Sequence, residues 1–266
     1  MVTFVTKRWH HDAMLLLLAC TPSPAAPPDF AEALRFAFRN FDQDDAAQLA
    51  ATVAVLEAGV DEQLDLDAPE AADRALTPEP LTADDVAALE WPDGASPTDM
   101  LRVAVTRTSA FDLDAHTTIA LLDDHTEVEP QSPNSYVRTF VEGDTCWRGC
   151  DRLRTVNDLV KENVLMSVTC RLRKDYRTLV LEDGRAAVLA RSWIEEACEG
   201  EVGGARVDQS ASVEFWLTRD EGVLRMMSSW AQTTFTGVDF DDELILGTTR
   251  VGIDDIFEHQ DRWLAE

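Results

Sequence analysis

Lysine is almost missing from this sequence of 266 residues: Lys7, Lys161 and Lys174 are the only three, and arginine supplies the remaining bases. Bases of both kinds number 23 against 50 acids, a net charge of −27. Nucleic acid demands a basic footprint that such a chain lacks, so no nucleic-acid partner is expected. Long apolar runs are missing too; none approaches the roughly 18 residues that a membrane-spanning helix needs. Histidine and tyrosine are scarce, with five and two. The signatures G-x-S-x-G, H-E-x-x-H and C-x-x-C do not occur, nor do the phosphate- and dinucleotide-binding glycine patterns. No cofactor is expected, and catalysis has little to stand on.

What is present concentrates between Tyr136 and Phe235, which holds four of the five cysteines. Val164, Met166, Val168, Cys170 and Leu172 alternate with mostly polar neighbours, the period of a half-buried strand. Tyr176 to Leu181 and Ala186 to Ile194 flank Asp183-Gly184, a pair that tolerates the positive φ of a hairpin turn. Val213, Phe215 and Leu217 continue the alternation, and Arg219 to Gly222 leads into Val223 to Ala231. Short turns between such runs predict an antiparallel meander.

Cys146, Cys150, Cys170 and Cys198 all lie in that block. In an oxidising compartment four cysteines pair into two disulfides, with three possible connectivities. A Cys146–Cys150 bridge closes a small loop and Cys170–Cys198 ties two strands, with the crossed pairings equally open. Zinc is the competing use of four thiolates. The C-x3-C spacing followed by two long gaps lacks the paired knuckles of a zinc ribbon and favours disulfides.

The compartment depends on the first twenty residues. Lys7 and Arg8, an apolar run from Ala13 to Ala19, and Cys20 have the order of a secretory signal. The stretch Leu17-Leu18-Ala19-Cys20 resembles the lipobox of bacterial lipoproteins. That resemblance implies a signal peptide over 1–19, cleavage before Cys20 and lipid (palmitate) on Cys20, with the membrane as partner through that lipid. The lack of Asp at position 21 fits the family's sorting to the outer membrane, facing periplasm or surface. The alternative is a cytoplasmic protein with a buried N-terminal helix. Four prolines in residues 20–28 read as an extended tether.

Beyond the tether, 29–134 is expected to be acidic and mainly helical, and 135–266 to be the sheet with a C-terminal helix, the two forming one compact unit by their size. Phe30, Leu34, Phe38 and Phe41 mark one helix, and Leu49, Val53, Leu56 and Val60 a second. Thr82 with Asp85 has the spacing of a capping box. Asp112 to Leu122 leans towards helix, Glu62 to Pro80 and Gly200 to Gly204 towards loop, and Ile253, Ile256, Phe257 and Leu264 share a closing helical face. The fold class is therefore α+β: N-terminal helices, an antiparallel meander with two disulfides, and a C-terminal helix.

Candidate site residues are few. His116 and His125, with Asp112 and Asp123 nearby, are the one grouping suited to acid–base chemistry; the plainer reading is a polar loop around a short element. Asp239, Asp241 and Glu243 are oxygen ligands of the kind calcium takes, but they lack the spacing of a calcium loop, and no metal is expected. Trp193, Trp216 and Trp230 on expected strands could floor a groove for an apolar or sugar ligand, or simply fill the core. Arg171 and Arg173 belong, with Lys161 among others, to a basic island suited to an anion, or to pairing with the acidic N-terminal half or with neighbouring acids.

The body, through Cys146-Trp-Arg-Gly-Cys150-Asp-Arg-Leu-Arg-Thr-Val-Asn157 and Glu182-Asp-Gly-Arg-Ala-Ala-Val-Leu-Ala-Arg-Ser-Trp193, resembles uncharacterised predicted lipoproteins of Gram-negative bacteria. The resemblance bears on location and fold. The expected role is a non-catalytic envelope lipoprotein that binds an envelope protein or a small apolar or anionic ligand. The alternatives are a secreted hydrolase acting near Asp112 to His125, and a purely structural envelope protein.

Overall fold

A computed structural model describes residues 25–147, 149–202 and 204–266. The signal-like leader, Cys20 and the first part of the tether lie outside them. Helix α1 (Phe30–Arg39) starts where the Asp29 carboxylate accepts the Glu32 amide at 2.9 Å, and α2 (Ala46–Gln63) starts from the same device at Asp45. The two form a hairpin, and Gly59 makes it close: the Phe30 ring lies where a β-carbon would be. Helix α3 (Ala83–Val86) has the capping box read from Thr82 and Asp85. The buried Asp85 carboxylate also receives Arg35 at 3.0 Å and Arg39 at 3.1 Å, which locks α1 to α3.

Among the described residues nine strands make one antiparallel sheet: β1 (Ala75–Leu76), β2 (Leu101–Ser109), β3 (Tyr136–Glu142), β4 (Arg152–Glu162), β5 (Ser167–Val180), β6 (Ala186–Ile194), β7 (Cys198–Val202), β8 (Ala205–Arg219) and β9 (Gly222–Phe235). The order is β1-β2-β9-β8-β6-β5-β4-β3, with β7 bridging β5 and β8 at one end. From β3 to β9 this is the expected meander. Three expectations need correction. Ala75–Leu76, inside the Glu62 to Pro80 stretch read as loop, pair with β2 as strand β1. The runs on either side of Lys174 are one strand, β5, and Val164 to Met166 belong to the turn before it. Gly200 lies in a strand, β7, because the Cys170–Cys198 disulfide holds that segment against β5 and β8. The second disulfide joins Cys146 to Cys150.

The sheet carries a layer on each face. On one face α1 and α2 cover Leu189, Val213, Phe215, Leu217, Leu224, Met226 and Trp230 in the largest apolar cluster. On the other lie α4 (Leu113–Ile119) and the long α5 (Asp242–Leu264). Since β2 from the acidic segment pairs along its whole length with β9, the 29–134 and 135–266 segments share one sheet and one core.

Arginine forks fasten the helices. Arg185 reaches both oxygens of Glu57 on α2 at 2.7 Å, and Arg74 both oxygens of Asp254 on α5 at 2.8 and 2.9 Å. Arg191, stacked 4.7 Å from the Phe41 ring, donates to the Phe38 carbonyl and to Asp42 at the end of α1. Planar forks that meet carboxylates bidentately explain the preference for arginine over lysine.

Candidate functional site

Pairing register places Val103, Ser229, Ser212, Ser192, Lys174 and Thr155 in one row across β2, β9, β8, β6, β5 and β4, on the face under α5. Beside this row on the same face lie Ala231 and Ser210, also opposite one another. Serine and alanine are too short to reach a helix that packs about 10 Å above a sheet. A space of about 170 Å³ remains between sheet and helix.

The walls of this cavity are mainly apolar. Leu159, Leu172, Ile194, Val207, Met227 and Phe235 come from the sheet, and Ile245, Leu246, Ile253 and Ile256 from α5. The Cys170–Cys198 disulfide forms part of one wall, so the crosslink fixes the cavity's shape as well as β7. The polar groups are the hydroxyls of Ser192, Ser210, Ser212 and Ser229 and of Thr233, Thr248 and Thr249, the amides of Gln131 and Asn163, and two bases, Arg102 and Lys161. Ser192 and Ser212 satisfy each other at 2.6 Å.

Beyond Ser192 the same face is filled by a polar core. Lys174 donates to Glu214 at 2.6 Å with both side chains buried. Burial alone would lower the lysine's pKa; the Glu214 carboxylate outweighs it and the net shift is upward. Arg138 donates to Asn157 at 2.8 Å, to the Ala120 carbonyl at 2.7 Å and to the Tyr176 hydroxyl at 3.0 Å. This network lies on the far side of Ser192 from the cavity, and none of its side chains enters the lining.

The cavity opens at one end. Gln131, Asn163 and Thr248 line both the cavity and a shallow surface groove that also takes in Val164, Leu244 and Val251. Those three apolar side chains are exposed, Val164 to 90 %. The amide of Gln131 sits where a side chain at residue 252 would be, so Gly252 is what lets the 126–135 loop close against α5. The C-terminal half of α5 is anchored by Ile253, Ile256 and Phe257, by Arg225 to Asp261 at 2.7 Å and by Arg74 to Asp254. Its first turns, over the mouth, are exposed or half-buried, and Gly247 there has open space around it.

The residues singled out from sequence fall elsewhere. His116 and His125 are 0 % and 2 % exposed, and neither ring has a hydrogen-bond partner among the described residues. Burial lowers their pKa values, helped by Arg225 at the first and Arg138 at the second, to about 3 and about 2. His116 lies 6.1 Å from the Trp216 ring and His125 stacks on Tyr136 at 4.8 Å. Asp112 caps α4, and Asp123 lies exposed, its carbonyl accepting the Arg138 amide. The histidines are sealed in the core and the two carboxylates face outward: α4 buries the side that carries His116, and the segment after it turns His125 inward against Tyr136. Asp241 caps α5, Asp239 precedes it exposed, and Glu243 lies 3.6 Å from Arg250. No group of three His, Cys, Asp or Glu suited to a metal forms among the described residues.

The tryptophans share no groove. Trp193 and Trp230 pack under α1 and α2, Trp216 on the opposite face against Tyr176, and none lines the cavity. Arg171 points outward near Asp158, and Arg173 donates to Glu195 at 2.7 Å. The C-terminal helix was expected to close the sheet, and it does so as α5; sequence reasoning missed the serine row beneath it and did not set Lys161 apart from the other bases of its island, and the recurring small residues at Ser210, Ser212 and Ser229 were the available signal.

No family model matches the sequence, and no curated protein is similar to it. Among solved structures, the chain is similar to a STAR-related lipid transfer protein from Xanthomonas axonopodis (fragment 25–204). Identity is 9 %, the overlap covers 62 % of this chain and 86 % of that one, and the TM-score is 0.43. Human StAR-related lipid transfer protein 5 is similar at 10 % identity over 84 % of this chain and 98 % of its own, TM-score 0.41. A protein from Thermus thermophilus is similar at 14 % identity over 62 % and 97 %, TM-score 0.40. The cavity's reading rests on its own geometry.

Proposed function

We propose that this protein binds, without transforming it, a small apolar molecule in the cavity between α5 and the sheet. The observation that carries this is the cavity itself: about 170 Å³, walled by aliphatic side chains and backed by a row of serines. Interiors pack with few voids larger than a water molecule, and an apolar cavity of about 150 Å³ is known to hold a benzene-sized guest. The hydrolase alternative requires His116 and His125 to meet solvent or substrate, and both imidazoles are enclosed and lie off the cavity's lining. Thermal unfolding in saturating 1-octanol tests the proposal. A ligand that binds only the folded chain raises its Tm. Ser229→Leu, which fills the cavity, is expected to abolish that rise; an equal rise in the variant, or none in the wild type, counts against the proposal.

We further propose that the protein works in the cell envelope, held to the outer membrane by lipid on Cys20. The support is the lipobox-like leader, the Pro-rich tether and the two disulfides, bonds that persist in oxidising compartments. No helix among the described residues is long and apolar enough to cross a membrane. Intact-mass analysis of protein extracted from its native membranes should show loss of residues 1–19 and acylation at the new N-terminus. An unprocessed Met1 with free thiols would refute this placement.

A further inference from the structure

Among the described residues, the buried cations of the sheet have acceptors, and one cation that borders the cavity does not. Arg74, Arg138, Arg191 and Arg225 donate to carboxylates, side-chain oxygens or carbonyls, and Lys174 has Glu214. The base that borders the cavity from β2, Arg102, donates its Nε to the Pro78 carbonyl at 2.8 Å. Lys161 makes no hydrogen bond or ion pair among the described residues, although it stands in the cavity wall.

Lys161 lies near the end of β4, opposite Val168 and two residues beyond Leu159, on the strand face that lines the cavity. It is half-buried, and it lines the cavity together with Gln131 and Asn163, the two residues that continue from the cavity into the surface groove. Burial lowers its pKa, and the carboxylate that works against this shift is Glu129. Glu129 is beyond ion-pair distance, and its own pKa is raised, first by burial. A charged group in an apolar wall without a counter-ion is costly, and the cost is removed when an anion is supplied.

We infer that the cavity's ligand is a small amphiphilic carboxylate, its anionic head held by Lys161 with Gln131 and Asn163 beside it and its apolar tail directed inward past Leu159 towards Ile253. The inference rests on the cavity reading above and adds the ligand's charge. The cavity sets the tail at roughly six to eight carbons, by comparison with a benzene-sized guest in about 150 Å³. With a chain this acidic, an anion would be turned away from most of the surface, so a cation in the cavity wall also acts as a selector.

Calorimetric titration with octanoate and with its neutral counterpart 1-octanol separates the two claims. Octanoate should bind wild type, bind Lys161→Met at least about tenfold more weakly, and bind Lys161→Arg within about threefold of wild type. Octanol should bind wild type and Lys161→Met about equally, which also reports that the Met variant is folded. Octanoate affinity unchanged in Lys161→Met, or octanol affinity falling by the same factor, would overturn the inference. Octanol binding without octanoate binding to wild type defeats the carboxylate assignment and leaves the apolar cavity standing; binding of neither defeats both.

Discussion

His116 and His125 show what burial does to a titratable side chain in this protein. Both rings are enclosed among Trp216, Tyr136 and cationic neighbours, and their folded pKa values fall to about 3 and about 2. An unfolded histidine takes its proton near pH 6.5. Below that pH the unfolded chain binds more protons than the folded one, so stability is complete above about pH 6.5 and falls as the pH drops towards about 3. At pH 5 each histidine removes about 2 kcal/mol, from about 1.4 kcal/mol per unit of pH. His125→Phe, which keeps a ring against Tyr136, should change stability by less than about 1 kcal/mol at pH 7.5. At pH 5 it should be more stable than wild type by about 2 kcal/mol. Urea unfolding at the two pH values measures both; an unchanged difference between variant and wild type would mean that His125 already titrates normally.

At the scale of elements, legibility in the sequence followed the range of the interactions involved. Local signals held. Leu49, Val53, Leu56 and Val60 recur at helical spacing and all are buried in α2; Asp45, Asp112 and Asp241 cap the helices they precede. Asp183-Gly184 makes the β5–β6 turn with Gly184 at φ 88°. Long-range pairing was not legible. The register of β2 on β9 joins residues more than a hundred positions apart, and only that register brings Val103 beside Ser229 and the serine row. Ser210 and Ser212 read as polar alternation in one strand; the empty volume above them exists because Ser192 and Ser229 stand next to them on other strands. The tryptophans fill the core, the plainer of their two readings, and they share no groove because three aromatic residues on neighbouring strands face opposite layers according to parity. Lys161 was legible as one base of an island, and only the register of β4 on β5 sets it in the cavity wall while Arg171 and Arg173 meet neighbouring acids.

At the scale of the whole molecule, the acid excess and the arginine bias are two parts of one arrangement. Glu57 and Asp61 on α2, Asp42 after α1, and Asp254 and Asp261 on α5 all meet arginines that rise from the sheet or its flanks. Forks clamp α2 on one face and the C-terminal half of α5 on the other. Among the described residues the N-terminal half of α5 receives no such clamp: its ion pair, Arg250 with Glu243, stays within the helix. Stability is thus strongest where the core is full and weakest over the cavity mouth, the distribution expected of a protein whose buried site must admit a guest. The most direct measurement is a methyl-selective NMR titration of the wild-type protein with 1-octanol. Shift changes should be confined to methyls that line the cavity, among them Met166, Met227, Leu159, Leu172, Ile194 and Ile253. Changes centred instead on Leu34, Leu56 and Leu189 under α1 and α2, or no saturable change at all, would contradict a ligand site beneath α5.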